Sequence, residues 1–493
     1  MMRDLDAQTI LIPSEPCDWP QDIYIGKEVE FTPVGGRGPS RSEVAGAFVR
    51  RLAQVIPSSL RSPGSHCDIF TPLGRIYQEM SEFVEVAGPT CRSGEAVAWA
   101  FEAAMEALSR VMVGGNGQAA VLCHTPSDYN DHLSRGEGPA HSTGCHFNML
   151  TPSLNIDQVR AFVALASPLN AVFGPGGWTW SPQGAPRFSC DPRAYHVARL
   201  VGGAAHGDGA KPYLLFRNEP YACPPLERVQ CAAFGAPRSP LSSWLQAELL
   251  PMALRAALAG GSPPWCGVDP ITILRAGPRE PIALKAPWPA RRKLVTKAAL
   301  AEETILWLTE FAEGCALRPD AFRRVARIRE LGVQAARAGA ATAAQPPLFP
   351  TDIAIKQGLF DRAVQACGFA DLSELDRACT ACAGDGNVRR AVDTLILTDV
   401  FFSSPSCRHS TYELAGRSAL FVRPRFEHPI DLHNLSRLPA GVARRDRIRA
   451  SLLASPGGQG NVCFCDWDQL HTGDGTVMSF PDPWSDLNQV KQR

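Results

Sequence analysis

Polar and apolar positions alternate along Ile25-Gly-Lys-Glu-Val-Glu-Phe31. This predicts a strand with Glu28 and Glu30 on one face, because side chains two apart in an extended chain point the same way. The same alternation in Arg75-Ile-Tyr-Gln-Glu79 puts Arg75, Tyr77 and Glu79 on one face, with Glu85 following. Between these strands Val44, Phe48, Leu52 and Val55 recur at helical spacing, which predicts an amphipathic helix over 41–55. A longer helix is predicted over 94–113, rich in Ala, Met and Glu and ended by Gly114-Gly115. Short apolar runs at 119–123, 146–150, 213–216 and 229–234 read as strands. The later half reads as helices over 241–259, 297–315 and 320–338, the last with a basic face at Arg323, Arg324, Arg327 and Arg329 that is expected to be solvated. An Ala-rich then Pro-rich stretch, 335–350, reads as a helix end and a surface connection. The pattern as a whole is α+β, and periodicity alone does not choose one sheet topology over another.

Length narrows this to a large unit over 1–403 and a smaller carboxy-terminal unit over 404–493 that contributes Trp467. With 45% hydrophobic residues in 493, the chain can bury a sizeable core. Forty-nine basic and forty-nine acidic residues cancel, so no global field draws it to nucleic acid or to an anionic membrane. No apolar run approaches the length of a membrane span, and Ile10 to Ile12 is too short for a signal peptide, so a cytoplasmic location is expected. Sixteen cysteines are scattered singly in apolar surroundings, which suits buried free thiols. The closest groups, Cys379 with Cys382 and Cys463 with Cys465, lack a histidine cluster and are read as structural rather than zinc-binding.

The candidate chemistry lies in the two acidic strands. Carboxylates crowded on one face repel unless a cation sits among them, and hard oxygen ligands beside an arginine suit magnesium and a nucleotide phosphate. An ATP-using enzyme is the first reading, set against an ordinary solvated sheet face.

A resemblance sharpens that choice. Gly26 to Phe31 matches a Gly-x-Glu-x-Glu-Phe opening, and Gly74 to Glu85 keeps the order of an Arg-x-Tyr-x-Asp segment and a later glutamate, with Glu79 at the aspartate position. In the same order follow Cys91, Gly144-Cys-His146-Phe147-Asn148-Met-Leu150, Arg193-Ala194 and Arg217-Asn-Glu219-Pro220. Leu348 to Asp352, Lys356 to Phe360, Asp466-Trp467 and Pro481-Asp482-Pro483 complete the series. In this collinear set the chain resembles the Pup ligase and depupylase family of glutamine synthetase-like carboxylate-amine ligases. The resemblance implies a curved, mainly antiparallel sheet holding ATP and magnesium. It implies magnesium at Glu28, Tyr77 and Glu85 with Glu30 and His146 assisting, phosphate at Arg75, phosphate or substrate carboxylate at Arg193 and Arg217, and Trp467 near the nucleotide. Glu79 would be the base that deprotonates an incoming amine. The implied partners are a small protein modifier or small carboxylate and amine substrates, with a protein lysine as one acceptor.

Two departures stand out. Phe147 occupies the place of a family glutamate, and Arg228 to Arg238 replaces a histidine, aspartate and asparagine set, so Arg238 or Arg217 is expected to supply positive charge instead. Three readings stay open: a ligase, an amidase on the same fold, and a non-catalytic nucleotide-binding relative. The depupylase branch carries an extra loop between the two acidic strands, where this chain has its 41–55 helix, and that favours the ligase.

Overall fold

The structure is a computed structural model that describes residues 10–12, 23–34, 40–60, 67–80, 82–113, 121–130, 142–180, 186–202, 211–216, 226–263, 265, 268–284, 293–315, 319–341, 347–381, 385–406, 408–455, 462–479 and 489–492. Its centre is a ten-stranded sheet. The strands are β2 (Tyr24–Val34), β3 (Ser59–Leu60), β4 (Asp68–Thr71), β5 (Gly74–Glu79), β6 (Phe83–Ala87), β7 (Val121–Cys123), β8 (Cys145–Pro152), β11 (Val197–Gly202), β12 (Lys211–Phe216) and β13 (Leu226–Phe234). They run in the order β11-β12-β13-β8-β2-β6-β5-β4-β3, with β7 on the far end of β2. All pairs are antiparallel except β11 with β12, which gives the mainly antiparallel sheet that was expected. Short pairs outside it are β1 (Leu11–Ile12) with β16 (Arg425–Phe426), β9 (Gly177–Trp180) with β10 (Pro186–Ser189), and β14 (Pro281–Leu284) with β15 (Lys293–Thr296).

Alternation divides this sheet into two faces. Ile25, Val29 and Phe31 of β2, Ile76 of β5, Val84 and Val86 of β6, and Cys145, Phe147 and Met149 of β8 enter one core with the Arg41–Val55 and Gly94–Val113 helices. Both helices have the bounds that periodicity predicts. The first is fixed at its start by a capping box, in which Ser40 and Glu43 satisfy each other's backbone N–H groups. Its buried stripe is Ala45, Phe48, Val49 and Leu52, while Val55, expected on that stripe, is 40% exposed because it falls in the last turn beyond the sheet. The Pro240–Leu258 helix lies in the same layer and is buried nearly all round.

Phe147 belongs to this core, fully buried and opposite Lys27 and Cys231 in the register. Its side chain therefore points away from the face that carries His146, and the expectation that it removes a cation ligand from the site is corrected. Lys27 also faces the helices, where its Nζ donates to Ser243 Oγ at 2.9 Å and lies 4.2 Å from the Phe101 ring centre. Burial holds its pKa below the usual lysine range.

His124 packs behind the sheet between Phe31 and Phe101, with ring centroids 5.5 and 5.6 Å away, and its Nδ1 lies 3.1 Å from Ala236 O. Burial, reinforced by Arg238, Lys356 and Lys27, holds its pKa well below the ordinary histidine value, so it is neutral in the folded protein. The unfolded chain takes up this proton near pH ~6.5, so the stabilisation from keeping His124 neutral is complete above that value and is lost as pH falls through it. Melting temperature should fall more steeply from roughly pH 7 to pH 5 in the parent than in His124→Phe, whose ring cannot take up a proton. Parallel profiles would show that His124 carries none of the acid sensitivity.

The remaining elements depart from expectation in three places. The basic stripe of the Pro319–Ala340 helix is ion-paired, with Arg324 to Glu248, Arg327 to Glu330 and Arg329 to Glu313. The end of the stretch read as a surface connection is buried, since Leu348 and Pro350 lie inside, and just beyond it Asp352 opens the Asp352–Ala366 helix. Residues after 404 also do not begin a separate unit. Tyr412, Leu420 and Phe421 pack with Leu348 and Ile355, and Leu432, Leu435 and Val442 enter the main core. The Arg444–Ala454 helix and a four-stranded sheet of β17 (Val462–Cys465), β18 (Gln469–Thr472), β19 (Thr476–Ser479) and β20 (Gln489–Gln492) follow, and Leu453, Val462, Cys465 and Leu470 pack with Phe70 of β4. Cys379 and Cys465 are buried free thiols, Cys463 is an exposed one, and Cys382 lies outside the described residues. Among the described residues, no helix is long and apolar enough to cross a membrane.

Candidate active site

The face turned away from the helices is acidic, and the register decides which acids meet. Tyr77 of β5 lies opposite Glu85 of β6, and Glu85 lies opposite Glu30 of β2, so these three form one row across the sheet. The next row runs from Arg75 through Ala87 and Glu28 to His146. Glu28, Glu85 and His146 each offer a ligand atom within 4.8 Å of the others. His146 Nδ1 is 3.3 Å from Glu28 Oε2, and its Nε2 is 3.9 Å from Glu30 Oε1. Glu30 is pinned by the Gly144 N–H, 2.5 Å from its Oε2. A Cβ at Gly144 would meet His146 Nε2 at 2.7 Å and both Arg193 and Glu30 at 3.2 Å, so any other residue there would push aside the side-chain tips that converge on it.

Electrostatics show how unevenly the acids share this space. Burial would raise Glu28, but its hydrogen bond to His146, the imidazole charge and Arg228 hold it below the usual carboxylate range. Glu85 is pushed well above that range, first by burial and then by Glu28, Glu30 and Glu79. Burial and the Glu85, Glu28 and Glu79 charges also raise the Tyr77 phenol. A cation would relieve this repulsion. Asn148 Oδ1 and Gln230 Oε1, both buried without a hydrogen-bond partner, add two acceptor oxygens on the same face. The donor set of two carboxylates, an imidazole and orphaned carbonyl oxygens therefore fits a divalent ion.

Arg228 and Gln230 on β13 are the members that the sequence reading missed. Gln230 Nε2 donates to Glu28 Oε2 at 3.0 Å, and Arg228 Nη1 lies 3.8 Å from Glu28 Oε1. Gln230 lies on the predicted strand 229–234 and Arg228 directly precedes it, a spacing of two that was the available signal, but strand order alone places β13 beside β8. Arg228, rather than Arg238, is thus the arginine beside the carboxylates. Arg238 is buried on the helix side between Glu102 and Glu413, 2.7 Å from each. Arg217 lies outside the described residues.

The other expected contacts have defined places. Arg193 is buried, its Nε bonded to Ala232 O at 2.7 Å and its Nη1 to Thr143 O at 2.8 Å, and only Nη2 reaches towards His146, at 3.5 Å. It holds the segment through Ser142, Thr143 and Gly144 that leads into β8 and His146. Arg75 forms a fork with Asp68, both bonds 2.9 Å, and lies over the Tyr77 ring at 3.8 Å. Glu79 is half-buried at the end of β5, opposite Phe83, and its charge acts on Tyr77 and Glu85. Trp467 packs edge-on against Phe70, ring centroids 5.1 Å apart, and Phe70 lies opposite Arg75. The carboxy-terminal unit therefore borders the acidic face beside Arg75 and Asp68.

Comparison with known proteins bears on the fold. No family model matches the sequence, and no curated protein matches it. Among solved structures, the complex between prokaryotic ubiquitin-like protein Pup and its ligase PafA matches over 97% of this chain and 91% of that one, with a TM-score of 0.69 and 16% identity. The Pup ligase PafA in complex with ADP matches over 92% and 93%, with a TM-score of 0.63 and 16% identity. The chain shares the fold of these ligases over more than nine-tenths of its length.

Proposed function

We propose that this chain is an ATP-dependent ligase that joins a carboxylate, such as that of a small protein modifier, to an amine such as a protein lysine. The observation that carries this reading is the convergence of Glu28, Glu85 and His146 on one sheet face, with Glu79 at its edge, on a fold shared with ligases solved with Pup and with ADP. A carboxylate is a poor electrophile, so the γ-phosphoryl group of ATP is first transferred to it. Glu28, Glu85 and Tyr77, with His146 and Glu30 beside them, would hold magnesium, which would supply charge neutralisation for that transfer.

This chain's own residues prepare the site for that chemistry. Glu28 enters ionised because His146, Gln230 and Arg228 clasp its two oxygens. Arg228 adds a fixed positive charge where phosphoryl oxygens would lie. Glu79 accepts a proton from the amine; the nitrogen then bonds to the acyl carbon, and phosphate departs with the former carboxylate oxygen. Arg75, anchored by Asp68, and Trp467 line the side from which the nucleotide would enter. Because Phe147 faces the helix layer, it gives no support to a non-catalytic relative.

Calorimetry tests the metal assignment. Magnesium-dependent ATP binding should weaken by at least about tenfold in Glu28→Ala and in Glu85→Ala, since even groups behind metal ligands are worth that much. Unchanged affinity in both folded variants, with magnesium present, would sink the metal-site reading.

A further inference from the structure

Strand order sets the carboxylate cluster between two flanks of the sheet. Arg75, with Trp467 near it, stands on the β5 side. On the other side, across β8 and β13, β12 begins at Lys211. Leu214 pairs with Cys231 and Cys231 with Phe147, so Lys211, ahead of Leu214 on β12, lies level with the Gly144 end of β8. Val197 pairs with Lys211, and the Pro192–His196 3₁₀ helix that carries Arg193 runs straight into Val197. Lys211 is therefore held beside Arg193, and its charge acts on both Arg193 and Glu30. It is half-buried, and among the described residues its Nζ has no hydrogen bond and no ion pair. Arg193 spends its donors on the neutral oxygens of Ala232, Ser142 and Thr143. Arg228 is level with Leu150, at the other end of β8, so Lys211 does not duplicate it.

We propose that Lys211 Nζ binds the carboxylate of the donor substrate and holds it in line with the γ-phosphoryl group, an inference that rests on the ligase reading of the acidic face. Phosphoryl transfer sets the attacking and leaving oxygens on opposite sides of phosphorus. With the nucleotide on the side of Arg75 and Trp467, the attacking carboxylate comes from the side of β8 and β12, where Lys211 stands. One carboxylate oxygen then bonds to the γ-phosphorus as the bond to the β,γ-bridging oxygen breaks and ADP leaves, while Lys211 keeps its proton. An ammonium on a flexible stem, with three donors and none of them used, suits an oxygen arriving there. Burial and the Arg193 charge both weaken its hold on its proton, and an anion bound against it would oppose both effects. A lysine that only balanced Glu30 would stand within ion-pairing distance of it, and Lys211 does not.

Glutarate, a plain dicarboxylate, is the probe, titrated into the full chain with and without magnesium-ADP and followed by ligand-observed NMR. It should bind the parent saturably. Lys211→Met, which keeps the apolar stem, should weaken it by about tenfold or more at unchanged melting temperature, the scale of a lost charge-assisted hydrogen bond. Lys211→Arg should recover part of that affinity, and magnesium-ADP should bind all three proteins equally. If Lys211→Met melts early, Lys211→Gln carries the same expectation. A parent that binds magnesium-ADP but not glutarate, unchanged glutarate affinity in a folded Lys211→Met, or equal weakening of both ligands would overturn the proposal. A parent that does not bind magnesium-ADP at all would overturn the ligase reading and the in-line role with it, a result told apart from the others because glutarate is also titrated without nucleotide.

Discussion

Glu79→Ala is expected to go on transferring the ATP γ-phosphoryl group to the carboxylate substrate and to stall before the amine attacks. The stall is measurable as carboxylate-dependent scrambling of the ATP β,γ-bridging oxygen, because reversible transfer frees the β-phosphate to rotate. Product formation should fall by about a hundredfold or more, the scale of losing a general base. The geometry that motivates this is the position of Glu79 two residues beyond Tyr77 on the same face, ~7 Å further along the strand, at the edge of the carboxylate cluster. Glu79→Asp should recover part of the rate, since a carboxylate one methylene shorter remains a base. If scrambling and product formation fall together in Glu79→Ala, the residue belongs to the metal and phosphate machinery instead.

Phe147→Glu should leave no cooperatively folded protein. The ring is fully buried between strands and helices, and its β8 position faces Lys27 and Cys231 rather than the carboxylates. Truncating a buried Phe costs about 3–5 kcal/mol. Burying a carboxylate adds to this even with Lys27 opposite, because desolvation of the charge competes with any pairing there, against a total stability of roughly 5–15 kcal/mol. Phe147→Leu, which keeps the apolar contact, should fold and melt only a few degrees lower. Thermal unfolding by circular dichroism distinguishes the cases. A Phe147→Glu variant that melts cooperatively near the parent and binds more magnesium would mean that position 147 faces the site after all.

How much of this was legible before the structure follows from the kind of information each feature needs. The Arg41–Val55 and Gly94–Val113 helices were legible because a 3.6-residue period and a terminal glycine pair are local signals. The shared face of Glu28 and Glu30, and of Arg75, Tyr77 and Glu79, was legible because strand alternation is a property of one chain segment. The opposite orientation of Phe147 and His146 was implicit in the same rule, yet comparison with a motif obscured it by treating neighbours in sequence as neighbours in a site.

By itself, then, the sequence determined the Arg41–Val55 and Gly94–Val113 helices, the strands through Glu28 and Tyr77 and the acidic faces of those strands, all of which depend on residues within a few positions of one another. Only the tertiary structure decided the registers that align Tyr77, Glu85 and Glu30 in one row and bring His146 to Glu28. It also brought Arg228 and Gln230 to the site while committing Arg238 to Glu102 and Glu413, and turned Arg193 into the anchor of the Gly144 loop. These assignments depend on which strands pair and how far each slides, choices set by burial summed over the whole core rather than by any local pattern.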